Sequence, residues 1–240
     1  MKFITHGYTN IGGRSNNEDY YLYANNLWIL ADGLGGHDCG EVASKTAVTA
    51  INDYFRESGK LIDETLLADM ISTANKAVIN EQKKDEGLAS MRTTLVFAVS
   101  DGARVRYANV RDSRFYYFKN SKIVAHSEDH SVSGMSAKLG DISYDDIRND
   151  PDRNKLIKVL GDQEKLNVKI PSIEFIAEKG DAFLLCSDGF WDYVYETEME
   201  LDLAKSRTPN EWLNYMIKRV LLKTKGLNND NFTVIGVMVE

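Results

Sequence analysis

The sequence is poor in the residues that cross-link or interrupt a chain, since its 240 residues include two cysteines and three prolines. Cys39 and Cys186 give no disulfide framework, and no Pro- or Ser-rich linker or internal repeat divides the chain, so we expect one domain over residues 1–240. No apolar run approaches the roughly 18 residues of a membrane span. Residues 1–6 alternate like a strand and lack the apolar centre of a signal peptide. These absences predict a cytoplasmic protein that does not bind membranes, with a monomer as the default state.

Positive charge and histidine are also scarce. The 29 Lys and Arg residues against 36 Asp and Glu give a formal net charge of −7. Affinity for a phosphate backbone comes from clustered basic side chains, so a nucleic-acid partner bound through a basic face is not expected. The histidines include no pair at zinc-finger or metalloprotease spacing: His6, His37, His126 and His130. The acidity therefore indicates either a solvated surface or carboxylates gathered to hold cations.

The pattern of apolar residues combines strands with helices. Alternating or apolar runs predict strands and hairpins within 2–8, 20–31, 92–110, 114–126, 167–177, 182–186 and 232–239. Apolar residues at helical spacing predict helices at 41–55, 63–82, 197–205 and 209–224. Residues 129–160 are predicted to form a long excursion with short helices. Because successive hairpins build antiparallel sheets, we expect an α+β fold with two sheets and helices outside them.

Acidic residues recur at predicted strand boundaries, namely at Glu18-Asp19, Asp32, Asp112, Asp188 with Asp192, and Asp230. Asp32 begins the segment Asp-Gly-Leu-Gly-Gly-His over 32–37, which is typical of a tight turn or of a carboxylate that holds a metal. The hairpin around Asn25-Asn26 brings Glu18-Asp19 near Asp32. Each carboxylate alone is compatible with a turn or a helix cap. A converging set without His or Cys would instead suit Mg²⁺ or Mn²⁺.

Six motifs occur in a fixed order along the chain: Arg14-Ser15-Asn16-Asn17-Glu18-Asp19, Asp32-Gly33-Leu34-Gly35-Gly36-His37, Met91-Arg92-Thr93-Thr94-Leu95, Arg111-Asp112-Ser113-Arg114, Ser187-Asp188-Gly189 and Asp230-Asn231-Phe232-Thr233. From Gly7 to Val237 the chain resembles the metal-dependent serine/threonine protein phosphatases of the 2C type, most closely their compact bacterial members. The resemblance implies a four-layer α/β/β/α sandwich, with two central antiparallel sheets flanked by helices, that forms a single phosphatase domain.

A two-metal centre between the sheets is implied by the same resemblance, with Mn²⁺ or Mg²⁺ as the cofactor. In that arrangement Asp32 bridges both ions. Asp188 and Asp230 complete one site, while Glu18 and the Gly33 carbonyl serve the other. A water shared by ions roughly 3.5–4 Å apart is acidified and attacks phosphorus without a covalent intermediate.

Two further residues are implied in catalysis. Arg14 would bind the phosphoryl oxygens, for which its planar guanidinium is suited, and Asp19 would orient metal-bound water. Thiol chemistry is not expected, because Lys45 and Asp192, and no arginine, stand six positions after the two cysteines. Cys186 is predicted to lie in the core and Cys39 at a helix start.

A possible third, weaker metal site is implied at Asp112, Asp188 and Asp192. The excursion over 129–160 resembles the family's flap, which borders the active site and influences substrate choice. Its Asp129-His130-Ser131 and Arg153-Asn154 match family positions, and we interpret Arg153-Asn154 as supporting the fold.

Three residues depart from the family pattern. Leu34 replaces a histidine proposed to protonate the leaving alkoxide; His37 is a candidate substitute, and a structural contact for His37 or metal-bound water as the acid are the alternatives. Arg92 and Arg111 stand where the family usually has glycine. Either both are solvent-facing side chains at sites that tolerate negative φ, or Arg111 competes electrostatically with a third cation at Asp112.

The predicted function is metal-dependent hydrolysis of phosphoserine and phosphothreonine in protein substrates of a serine/threonine kinase. One alternative is a catalytically weak or inactive regulatory relative that binds phosphoproteins. Another is a metal-dependent hydrolase of other phosphoesters, such as nucleotides. Assays with and without Mn²⁺ separate the first two, and phosphothreonine peptides set against nucleotides separate the third.

Overall fold

The computed structural model describes residues 1–24, 26–34, 39–59, 61–153, 155, 158–162, 166, 168 and 170–240. The strands are β1 (Phe3–Asn10), β2 (Asp19–Ala24), β3 (Leu27–Leu34), β4 (Arg92–Thr93), β5 (Leu95–Ser100), β6 (Arg104–Val110), β7 (Arg114–Lys119), β8 (Lys122–His126), β9 (Phe175–Ile176), β10 (Ala182–Cys186) and β11 (Phe232–Val239). The α-helices are α1 (Gly40–Ser58), α2 (Glu64–Gln82), α3 (Val132–Leu139), α4 (Asp188–Trp191), α5 (Glu196–Ala204) and α6 (Pro209–Lys223).

Two antiparallel sheets pack face to face at the centre of the molecule. The first sheet has the strand order β1-β11-β10-β7-β8, and the second has β2-β3-β5-β6-β9 with the short β4 paired to β3. Aromatic residues from both sheets, including Trp28, Phe115 and Phe183, form the core between them. The Trp28 and Phe183 rings meet edge to face with centroids 4.8 Å apart, a favoured aromatic geometry.

Strict alternation along β3 explains why helices cover the second sheet. Leu27, Ile29 and Ala31 face one core shared with α1 and α2, whereas Trp28 and Leu30 face the first sheet. Successive side chains of a strand point to opposite faces, so a strand apolar on both faces must be buried on both. The four-layer α/β/β/α sandwich predicted from the sequence is confirmed.

The other outer layer consists of α5 and α6 against the first sheet. Trp212, Met216 and Val220 follow one another at helical spacing on α6 and are fully buried there. The helix begins where predicted, because Thr208 caps it by accepting from the Glu211 amide, with Pro209 in its first turn. No helix in the described part of the chain is long and apolar enough to cross a membrane.

Most predicted elements are present, and β9 is the main exception. The expected strand over 167–177 is reduced to Phe175–Ile176 among the described residues, and Asn167 and Lys169 lie outside them. Its pairing with β6 involves only Arg104 and Val105, so a weak edge contact ends the sheet there. The single turn α4 after β10 was not predicted.

The excursion after β8 is tied to the first sheet by buried arginines. Within it, α3 is followed by a 3₁₀ turn over Tyr144–Asn149. Asp129, where the excursion begins, accepts from Arg114 of β7 through both carboxylate oxygens, at 2.9 and 2.6 Å. The Arg114 guanidinium also lies 3.5 Å from the centroid of the Trp191 ring. Arg148 donates to the Trp191 carbonyl and to Glu196. Short helices were predicted here, and they are present.

Arg114→Leu is expected to destabilise the fold by about 3–5 kcal/mol, because it leaves the Asp129 carboxylate buried without its partner. Urea unfolding measures the change. Arg104→Leu is the matched control, since its pair with Asp101 is exposed and such pairs contribute only about 0–1 kcal/mol. Equal losses in the two variants would contradict the role given to the Arg114–Asp129 pair.

Candidate metal centre

One open cavity of about 580 Å³ lies where the strand ends of the two sheets meet. It is lined by most of the residues to which the sequence assigned a role: Arg14, Glu18, Asp32, Gly33, Asp188, Asp192 and Asp230. Segments far apart in the chain therefore converge at one edge of the sandwich, as the recurring strand-end carboxylates predicted. Asp19 and Asp112 are buried beside this cavity and do not line it.

The β2–β3 hairpin sets the first pair of carboxylates. Asp19 and Asp32 are direct partners in its antiparallel register, as the turn at Asn25-Asn26 predicted; Asn26 has φ 65°, and Asn25 lies outside the described residues. The backbone of Asp32 is fixed from the other side, where its amide donates to the Thr94 hydroxyl at 2.9 Å and its carbonyl accepts from the Thr93 hydroxyl at 2.8 Å. Two buried threonines at the break between β4 and β5 thus hold Asp32 in place.

Two glycines let helix α1 pass close to Asp32. A Cβ atom on Gly33 would lie 2.2 Å from the Gly40 carbonyl oxygen, and one on Gly40 would lie 2.2 Å from Glu18 Oε2. Contacts this short exclude any side chain at either position. The Glu18 carboxylate is thereby placed against the backbone that follows Asp32. The Glu18 carbonyl accepts from the Ser44 hydroxyl at 2.6 Å, which fixes its strand to α1.

Asp19 is anchored from the first sheet. The Ser187 hydroxyl donates to Asp19 Oδ2 at 2.8 Å and accepts from the Thr233 amide at 2.9 Å, so β2, β10 and β11 are tied together behind the cavity. The other oxygen, Asp19 Oδ1, is buried and has no hydrogen-bond partner in the described part of the chain. The Ser187 hydrogen bond therefore orients the Asp19 side chain through Oδ2, while Oδ1 remains available as an acceptor.

Asp188 and Asp230 face each other from the ends of neighbouring strands. Asp188 follows β10 at the start of α4, and its Oδ1 is a second buried oxygen for which the described residues supply no hydrogen-bond partner. Asp230 precedes β11 and accepts from Arg14 Nη2 at 2.9 Å, with both side chains about half exposed. Arg14 therefore reaches the same edge as the carboxylates.

The buried carboxyl groups raise one another's pKa. Desolvation and the neighbouring carboxylates raise the pKa of Asp19 to about 7 and that of Asp32 well above its ordinary value. For Asp188, burial and the charge of Asp230 raise the pKa. Burial raises the pKa of Asp112 to about 7, although Arg111 opposes the shift. A divalent cation would reverse this, because it favours the ionised carboxylates.

The donor set fits hard divalent cations. Oxygen ligands without His or Cys suit Mg²⁺ or Mn²⁺, and buried unpartnered oxygens of Asp19, Asp112 and Asp188 remain after all hydrogen bonds of the described residues are counted. Within the described ranges, no three His, Cys, Asp or Glu groups already surround a common point.

Two of the three carboxylates predicted for a third metal, Asp112 and Asp192, each have an arginine partner. Asp112 lies 3.3 Å from Arg111 Nε, and Asp192 accepts from both terminal nitrogens of Arg153, at 2.7 and 2.6 Å. The prediction that Arg111 faces solvent at negative φ is wrong, since its side chain is 7% exposed and its φ is +83°. Arg92 is partly buried, and its Nη1 donates to the Ala89 and Met91 carbonyls.

Other sequence predictions have mixed outcomes. Leu34 lines the cavity and pairs with Arg92 across β3 and β4, and His37 lies outside the described residues. Cys186 is buried in the core, and Cys39 precedes α1 as its N-cap residue, as predicted. The supporting roles of Thr93, Thr94 and Ser187 were missed, although all three belong to the quoted motifs.

The chain is similar to known serine/threonine phosphatases in sequence and in fold. The sequence profile described as Protein phosphatase 2C matches residues 6–225. Serine/threonine phosphatase stp of Listeria monocytogenes is 37% identical over 213 residues, which covers 87% of this chain and 82% of that protein. Stp1 of Staphylococcus aureus is 28% identical in its crystal structure, with a TM-score of 0.88 over 100% of this chain and 96% of that one.

A structure of the PstP catalytic domain in complex with two manganese ions has a TM-score of 0.83 at 24% identity, with 99% of each chain covered, and shows the shared fold. The predicted family and enzyme class, a protein serine/threonine phosphatase, are confirmed by these matches. The chain therefore belongs to the protein phosphatase 2C family.

Proposed function

We propose that the cavity is a two-metal centre that hydrolyses phosphoserine and phosphothreonine in proteins. The observation that carries the proposal is the meeting of Glu18, Asp32, Asp188 and Asp230 with Arg14 at one cavity. Asp32 lines the same cavity as Glu18 and Asp188 and would be shared by the two ions. Asp188 and Asp230 are assigned to one ion, and Glu18 with the Gly33 carbonyl to the other.

Mn²⁺ or Mg²⁺ is the proposed cofactor, and the PstP catalytic domain with two manganese ions is the precedent. When bound, such a pair of cations supplies an acidified water and neutralises the charge that develops on the phosphoryl group. The chain's own contribution is to place oxygen ligands rigidly. The Thr93 and Thr94 contacts to the Asp32 backbone and the close approach of Gly33 to Gly40 serve that purpose.

Arg14 is assigned to the phosphoryl oxygens. Its Nη2 donates to Asp230, which orients the planar guanidinium at the cavity. The N–H groups of its other nitrogens are the proposed donors to the phosphoryl oxygens. Such a fork matches two oxygens of a phosphate at once. The net charge of −7 is no obstacle to an anionic substrate, because charges beyond about 8–10 Å are screened by salt.

Asp19 is assigned to the attacking water. Ser187 fixes its Oδ2, and the unpartnered Oδ1 is free to accept a hydrogen bond from water. Leu34 brings no acid to the cavity, so metal-bound water is the proposed acid for the leaving alkoxide, with His37 as the alternative. Residues 1–240 are proposed to act as one cytoplasmic, monomeric phosphatase domain whose substrates are the products of a serine/threonine kinase.

Phosphate release from a phosphothreonine peptide tests the proposal. The protein with added Mn²⁺ is expected to hydrolyse the peptide much faster than nucleotides, and chelation of the metal should remove the activity. A protein that binds the peptide without turnover would instead be a regulatory relative. Preferential hydrolysis of nucleotides would reassign the leaving group.

A further inference from the structure

Arg111 is held in a backbone conformation that disfavours its side chain. Its φ of +83° lies in the left-handed region, which costs a non-glycine residue of order 1 kcal/mol or more. The family resemblance expects glycine there. Strain of this kind persists where the surroundings over-determine it, and it clusters at functional sites.

The surroundings of Arg111 do over-determine the conformation. Its amide donates to His130 Nδ1 at 3.2 Å, and its carbonyl accepts from the His130 amide at 2.9 Å and from Asn109 Nδ2 at 3.3 Å. Both main-chain polar groups are therefore fixed by the start of the flap and by β6. The backbone direction forces the side chain inward, where it lines the cavity together with Asp32 and Asp188.

The Arg111 guanidinium lies among carboxylates without satisfying its hydrogen bonds. It is 3.3 Å from Asp112, while its Nε and Nη1 are buried with no hydrogen-bond partner among the residues that the structure describes. The structural arginine Arg114 differs, since its three nitrogens all donate to Asp129 or Tyr116. Arg111 thus acts mainly as a charge.

A second arginine, Arg153, forms an ion pair with the Asp192 carboxylate. Arg153 of the flap binds Asp192 through both terminal nitrogens, and it lines a gap with Asp112, Asp188 and Trp191 that holds no water-sized space. The three carboxylates predicted for a third metal are therefore Asp112 facing Arg111, Asp192 facing Arg153, and Asp188, which is assigned to the two-metal centre.

We propose that Arg111, with Arg153 beside it, supplies from within the chain the positive charge that a third divalent cation would bring to Asp112 and Asp192. The enzyme then works with two ions, and its third position binds metal weakly or not at all. The inference rests on the proposed two-metal function. Removing a unit charge a few ångströms from the site is expected to tighten a third ion by at least about tenfold.

The test counts Mn²⁺ per chain by equilibrium dialysis over a range of free Mn²⁺. Wild type and Arg111→Lys, which keep the charge, should bind two ions. Arg111→Gly and Arg111→Asn, which remove it, should bind a third at least about tenfold more tightly than wild type. Asparagine tolerates positive φ, so it separates loss of charge from relief of strain. Arg92→Gly is the matched control, an arginine at the other expected glycine, and should behave as wild type.

Asp112→Asn gives an independent reading. It should leave the ion count of wild type unchanged and abolish the third ion of Arg111→Gly. If wild type itself binds three ions as tightly as the variants do, or if both Arg111→Gly and Arg111→Asn titrate as wild type does, the inference is overturned while the two-metal function stands. If wild type takes up no pair of ions, the proposed function fails and the inference with it. Arg111→Gly and Arg111→Asn are two independent charge-removing variants, so the comparison with wild type can still be made if one of them does not fold.

Discussion

Asp32→Asn is expected to lower kcat/KM for a phosphothreonine peptide by about 10³-fold or more, which corresponds to roughly 4 kcal/mol of transition-state stabilisation. Asp32 is assigned to both ions, so the amide weakens two ligand bonds and leaves the substrate's charge less compensated. The side chain keeps its shape, and the contacts that fix its backbone come from Thr93 and Thr94. The loss should therefore be chemical and not structural.

Thermal unfolding distinguishes these two explanations. In chelator, Asp32→Asn should be at least as stable as wild type, because it removes one charge from a cluster of mutually repelling carboxylates. Asp53→Asn on the exposed side of α1 is the matched control, and it should change neither activity nor stability. Activity of Asp32→Asn within tenfold of wild type, or a lower unfolding temperature in chelator, would contradict the assignment.

The metal-free protein should lose several kcal/mol of stability as the pH rises from about 4 to about 7. The pKa values of Asp19 and Asp112 are raised to about 7, from 3.8, because both groups are buried. Over this range the folded state still binds protons that the unfolded chain has released, so the free energy of unfolding decreases with pH. Asp202 beside Arg219 is of the opposite kind: its pKa is lowered, so it stabilises the fold at neutral pH and that stability is lost only at lower pH.

Urea unfolding in chelator across this pH range measures the effect. Saturating Mn²⁺ should remove the decline, because bound cations stabilise the ionised carboxylates. Asp112→Asn should make the metal-free decline shallower than in wild type. A metal-free stability that is constant or rises between pH 4 and 7 would show that the carboxylates are not buried together as described.

Local rules predicted the parts of the site that depend on the backbone. The Asn25-Asn26 turn and the alternation of β3 were sufficient to place Asp19 opposite Asp32, because a hairpin has one register once its turn and buried face are set. Helix α1 follows from apolar spacing. The convergence of Asp188 and Asp230 required the sheet order, which only the resemblance provided.

Side-chain direction at irregular backbone was not predictable in the same way. The sequence left open whether Arg111 faces solvent or Asp112, and its positive φ and its His130 contacts direct it inward. Arg153 was interpreted as supporting the fold, and the sequence did not show that its guanidinium binds Asp192. In each case the partner residue lies on an element distant in sequence, so a local sequence pattern could not predict the contact. The strand predicted over 167–177 is reduced to Phe175–Ile176 among the described residues for a related reason. At this sheet edge β9 pairs only with Arg104 and Val105 of β6, and a local sequence pattern does not show how long such a pairing is.

The most direct test of the two-metal centre is an anomalous difference map from a crystal soaked in Mn²⁺. Two peaks are predicted in the cavity, one on each side of Asp32, with Asp188 and Asp230 beside one and Glu18 and the Gly33 carbonyl beside the other. No third peak is predicted next to Arg111. A cavity without a peak at Asp32, at Mn²⁺ concentrations that support phosphatase activity, would contradict the account.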